Sequence, residues 1–109
     1  MFSSRKSALR QAKRDAKIPV TQPPKQVNYV KMTNMNGQTI LDHNGMPIQT
    51  REYVFVRDDK SLIVIQEHSV GHQFGNLGGV GDQGPHFNVR PIENTRTGRV
   101  FGTQEHYLF

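Results

Sequence analysis

The segment IPVTQPPKQ, residues 18–26, constrains this chain more than any other stretch. Proline lacks the amide hydrogen that a helix interior needs, and it pushes the residue before it toward extended backbone. Pro19, Pro23 and Pro24 therefore end any helix begun upstream and keep the connector extended. Upstream, Ser3 or Ser4 can cap a helix, and Leu9, Ala12 and Ala16 recur on one helical face. Downstream the pattern changes to short strand-like runs: residues 27–32, a turn at Asn36-Gly37, residues 39–41, and a second turn at Asn44-Gly45. REYVFV (51–56) and SLIVIQ (61–66) flank RDDK and predict a hairpin. The expected fold is α+β: a basic helix (1–17), a Pro-rich connector (18–26), and a core (27–109) built on a small antiparallel sheet, all in one domain.

The formal charge of +5 sits in one place. Arg5, Lys6, Arg10, Lys13, Arg14 and Lys17 face Asp15 alone, whereas the remaining eight basic and eight acidic residues cancel. A helix so charged is either a solvated brace for Leu9 or an electrostatic contact to phosphates, with Arg10, Lys13 and Arg14 as the candidates.

With no cysteine in its 109 residues, the chain can have neither a disulfide framework nor a thiolate zinc site, and no thiol nucleophile. No apolar run approaches the roughly 18 residues of a membrane span or forms a signal-peptide core. A soluble chain with no membrane partner is expected. If exported, it is expected to travel as part of something larger or by a route that needs no such signal.

After the hairpin comes IQEHSVGHQFGNLGGVGDQGPHFNVRP, residues 65–91, with three histidines, two carboxylates and six glycines. So many glycines add little to a core and cost entropy on ordering, which suggests chain bent closely around something. Glu67-His68 at a strand end delivers polar groups to the rim of a sheet. His72 follows His68 by four residues, so a short helical turn near residues 69–74 places both rings on one face. Imidazoles beside a carboxylate can hold a divalent metal, and a histidine left unligated can act as general base near neutral pH. Phosphodiester hydrolysis uses that combination, together with basic residues that seat the phosphates. Surface and capping histidines are common, so the spacing alone leaves the site open.

EHSVGHQFG, GDQGPHFNVRP and the closing EHYLF together resemble the C-terminal toxin modules of bacterial polymorphic toxins in the HNH/endonuclease VII superfamily, in the group named for an acidic-His pair plus two further histidines. The resemblance covers residues 51–109. The basic helix and PPKQ connector also resemble the lead-in to such modules in LXG-type toxins of Gram-positive bacteria. The resemblance implies a metal-dependent endonuclease, with DNA favoured over RNA, released from a secreted toxin into the cytoplasm of target bacteria through type VII secretion and neutralised in its producer by an immunity protein. It implies His68 as general base, His72 and His86 as metal ligands, Glu67 as a ligand or an orienter of a histidine, and Asn88 in the orienting role an asparagine plays in HNH sites. Magnesium or manganese is the expected ion, with zinc an alternative. The usual close spacing of His, Asn and a final His is not followed here.

Other polar residues have two readings each. His106 either packs the terminus or completes the site, and Arg90 and Arg96 either form a phosphate clamp or are solvated. Asp82 shapes the turn beside Gly81 or is a ligand, and His43 reads as surface beside a turn. Two rival functions remain. One is a metal-independent ribonuclease of the barnase and RelE type, in which His68, His86, Glu67 and Arg90 do acid-base chemistry on a 2′-hydroxyl. The other is a non-catalytic nucleic-acid-binding module that uses the basic helix alone.

Overall fold

A computed structural model describes residues 1–33, 36–68 and 85–109. The chain runs α1 (Arg5–Asp15), β1 (Gln26–Lys31), β2 (Gln49–Val56), β3 (Leu62–His68), β4 (His86–Pro91) and β5 (Tyr107–Leu108). The strands form one antiparallel meander in the order β1-β2-β3-β4-β5, and α1 lies across one face of it.

The helix begins where the sequence places it. Ser4 accepts from the Ser7 amide while the Ser7 hydroxyl reaches back to the Ser4 amide, a reciprocal cap that satisfies two orphan donors. It ends at Ala16, after which Lys17 turns left-handed (φ 64°) and the Ile18 amide bonds back to the Lys13 carbonyl. Ala8, Ala12 and Ala16 are fully buried, and their small side chains let the helix settle close onto Phe55, Ile63, Ile65, Phe87, Val89 and Tyr107.

Lys13 departs from its expected role. It is 7% exposed, its Nζ donates to the carbonyls of Val20 (3.0 Å) and Gln22 (2.6 Å), and the ammonium stands 4.8 Å from the centre of the Phe55 ring. It ties the connector to the helix and cannot also reach a phosphate. The connector itself turns back at Pro19, where the Gln22 amide bonds to the Pro19 carbonyl, before entering β1.

The β2–β3 hairpin forms with Val56 opposite Leu62, closed by Lys60 at φ 74° and by Asp59 accepting from the Ser61 amide. The turns at Gly37 and Gly45 also form, both with positive φ, as glycine allows. The strand expected at residues 39–41 is reduced to the single bridges Thr33–Thr39 and Leu41–Pro47. In contrast, HFNVRP is a full strand that period-2 reading passes over, because β4 is buried on both faces at its start and so does not alternate. The helical turn expected near residues 69–74, with the Gly-rich segment around it, lies outside the described residues, as do His72 and Asp82.

Candidate active site

Alternation along the strands sorts the polar residues onto two faces. Toward the helix point Ile63, Ile65 and Glu67 of β3 and Phe87 and Val89 of β4; the opposite face carries Gln66 and His68 of β3 and His86, Asn88 and Arg90 of β4. His68 pairs directly with His86 across the strands, as Gln66 does with Asn88.

Three imidazoles lie in series on that face. The His86 ring, 2% exposed, stands edge-on between His68 and His106, at 4.9 Å from the centre of each. His106 Nδ1 donates to Asn88 Oδ1 at 2.7 Å, so the Asn88 side chain fixes the orientation and tautomer of that ring. Burial, reinforced by the charges of Arg90 and Arg99 and opposed by Glu105, pulls the His106 pKa below the usual histidine value. Near neutral pH the ring is then uncharged, with its Nε2 lone pair available. Of the two readings for His106, the structure supports membership of the histidine series. Asn88 is 5% exposed, and the ring its side chain holds is that of His106.

Arg90 lies on the same face. Its Nη1 donates to the Gly98 carbonyl at 2.8 Å, while its buried Nε has no hydrogen-bond partner among the described residues. Arg96 lines the same cleft.

Glu67 is placed differently. Its carboxylate, 1% exposed, takes two hydrogen bonds from Arg5 (2.6 and 2.7 Å), one from the Tyr53 hydroxyl (2.5 Å) and a longer one from Arg51 (3.4 Å), all on the helix side. A side chain so held does not reach the histidines through the sheet, and neither a ligand role nor an orienting role fits this position. Its backbone carbonyl meanwhile accepts from Thr50 Oγ1. Glu67 thus fastens the end of β3 from both sides, and the next residue is His68.

Burial alone would push the Glu67 carboxyl up, but hydrogen bonds from Arg5 and Tyr53 and the charges of Arg5 and Arg51 outweigh it and hold the pKa at about 2. The folded value lies below the unfolded one, so this stabilisation is present above about pH 4.5 and is lost as pH falls toward about 2. The contribution is on the order of 2 to 3 kcal/mol. Urea midpoints at pH 7, 4.5 and 3 should fall steeply over the last step. Glu67→Gln should remove most of that step; an unchanged slope in the variant rules out this carboxylate as its source.

Arg10 and Arg14 are exposed on α1, behind the sheet from the histidines, so any phosphates they contact are not the ones at His68. Two cleft residues that the sequence did not single out are Glu52 and Gln66. Their signal is the register of the hairpin, which places them opposite one another and two residues from the His68 row.

Among the described residues, no three His, Asp or Glu side chains converge as a metal site requires. The series of His68, His86 and His106 offers imidazole nitrogens, donors that suit zinc and similar borderline ions better than the all-oxygen octahedron of magnesium, whereas the adjoining cleft, His68 apart, is lined by the side-chain oxygens of Glu52, Gln66, Asn88 and four threonines.

Comparison with curated proteins and with solved structures found no match. The profile of Tox-HNH-EHHH, described as HNH/Endo VII superfamily nuclease toxins, matches residues 39–109. That span takes in β2 to β5 and with them His68, His86, Asn88 and His106, and because it covers more than half of the chain, this protein belongs to the Tox-HNH-EHHH family of HNH/endonuclease VII superfamily nuclease toxins.

Proposed function

We propose that the chain hydrolyses phosphodiester bonds of DNA on the face that carries His68, His86 and His106, with His68 as general base and a divalent metal held through His86. The observation that supports this most is the T-shaped series of imidazoles at 4.9 Å intervals, one of them fixed by Asn88. Nucleases of this superfamily generally use a divalent metal, which supplies charge for the developing phosphorane. His72, outside the described residues, is the further ligand this reading requires. Arg90, which lines the cleft with Nη1 held by the Gly98 carbonyl, presents the remainder of its guanidinium to the phosphate. The imidazole-rich donor set favours zinc over the magnesium or manganese expected from sequence.

Supported by resemblance of the lead-in alone, we also propose that the chain is the C-terminal part of a larger, secreted LXG-type toxin. It acts in the cytoplasm of competing bacteria, and a cognate immunity protein neutralises it.

One observation favours a second reading. A helix behind an antiparallel meander, with histidines and Arg90 on the open face, is also the arrangement of metal-independent ribonucleases of the barnase and RelE type, although fold-level likeness does not decide chemistry. The purified chain should be incubated with duplex DNA, single-stranded DNA and RNA in zinc, manganese, magnesium or chelator. The first reading expects DNA cleavage that chelator abolishes and metal restores, together with a metal-dependent rise in melting temperature that His86→Ala loses. Cleavage of RNA alone that ignores chelator establishes the second.

A further inference from the structure

The histidine face carries a second row of polar groups, of which the hydrolytic site engages only the Asn88 oxygen, on His106. One pleat from the row of His68 and His86 lie Glu52, Gln66 and Asn88, paired side by side across β2, β3 and β4. Neighbours within the row are about 5 Å apart, and the two rows are about 7 Å apart. All three side chains line a cleft of about 390 Å³, which His68 also lines.

Hydrogen bonds fix what this row presents. Gln66 Nε2 donates to Glu52 Oε2 (2.8 Å) and to the Thr95 carbonyl (2.7 Å), so both of its hydrogens are used and its Oε1 is left as an acceptor. Asn88 is turned the other way: its Oδ1 accepts from His106, which leaves the Nδ2 hydrogens as donors. Glu52 has no cation within ion-pair distance among the described residues, although Lys31, Arg90 and Arg96 line the same cleft. From β2 to β4 the row therefore reads acceptor, acceptor, donor.

A carboxylate repels phosphate and accepts from N–H or O–H donors, so Glu52 suits the donor groups of a base rather than its phosphate. The Watson–Crick edge of guanine presents two adjacent donors, N2–H and N1–H, followed by the acceptor O6. Adenine and cytosine each offer one donor followed by an acceptor, and thymine and uracil begin with an acceptor, so only guanine complements the full row. We propose that Glu52, Gln66 and Asn88 form a recognition site for an unpaired guanine, one pleat away from the phosphodiester at His68. In a duplex, cytosine already occupies this edge, so the substrate is a single strand or a locally opened one. The inference rests on the nuclease reading for the place of the phosphodiester, but the base site can be tested without catalysis.

Titration of the full chain with guanosine, inosine, adenosine and cytidine 5′-monophosphates, followed calorimetrically or by NMR, tests it directly. Guanosine monophosphate should bind roughly 10- to 100-fold more tightly than the adenosine or cytidine compounds, and inosine monophosphate, which lacks the 2-amino group, should lose part of that preference. Glu52→Gln, which removes the charge but keeps the side-chain shape, should erase most of it while the melting temperature holds. Oligonucleotides carrying one guanine should be cut beside it when single-stranded and spared when paired. Equal binding of guanosine and adenosine monophosphates overturns the proposal, as does a preference unchanged in Glu52→Gln. Equal cleavage of guanine-free strands overturns it while leaving the nuclease reading intact. Guanine preference in a chain that cuts no oligonucleotide supports the base site and removes the hydrolytic reading.

Discussion

Replacing His68 with Ala should give a folded protein that no longer cuts nucleic acid. The residue stands at the last position of β3, only partly buried, with its ring against His86 on the open face. Loss of the ring removes one edge contact and little core, so the stability cost should be about 1 kcal/mol or less. Loss of a general base costs on the order of 10²- to 10⁴-fold in rate, and more where the same ring positions the attacking water. Expression in bacteria without a protecting partner gives a direct reading: the wild type should be lethal and the variant tolerated. Circular dichroism and a thermal melt must accompany it, because an unfolded variant is harmless for a trivial reason. A folded His68→Ala protein that remains as nucleolytic as wild type places the general base elsewhere.

Arg5→Ala should produce the largest loss of stability of any exposed residue in the chain. The guanidinium is 44% exposed, yet it makes two hydrogen bonds to a carboxylate that is 1% exposed and stands 5.4 Å from the centre of the Phe87 ring. Removing it leaves Glu67 buried with only the Tyr53 hydroxyl and the longer Arg51 contact. Breaking a buried pair from one side costs about 3 to 5 kcal/mol, and the exposure of Arg5 reduces this to about 2 to 3 kcal/mol. For a domain of this size the melting temperature should fall by about 10 °C. Activity should fall further than stability explains, because the clamp on Glu67 also sets the end of β3 and thereby the position of His68. Arg5→Lys should rescue only part of both, since an ammonium cannot reproduce the two-pronged contact. If Arg5→Ala melts within 2 °C of wild type, the Glu67 cluster is not what anchors the helix to the sheet.

The basic helix shows why charge alone was ambiguous. Of the three cations expected to seat phosphates, Arg10 and Arg14 are exposed but Lys13 is buried on the core side, one position along from Ala12. A lysine stem can line apolar surface while its ammonium finds carbonyls, and only the path of the connector decides whether carbonyls are there. Arg5 reads in sequence as one more charge in the same run, and nothing local marks it as the partner of Glu67, 62 residues away.

By itself the sequence determined the elements whose causes are local: a capped helix stopped before Pro19, a hairpin closed over RDDK, and positive-φ turns at Gly37 and Gly45; it also placed residues 39–109 in their family. It also contained one fact that motif reading overrode. Consecutive residues in a strand point to opposite faces, so a Glu-His pair inside β3 cannot send both side chains into one site. The tertiary structure decided what depends on partners distant in the chain: β4 beside β3, Asn88 on His106, Arg5 on Glu67, and Glu52 and Gln66 beside Asn88. Register and crossing are set by burial summed over the whole sheet and helix rather than by the preference of any segment, and no local pattern records that sum.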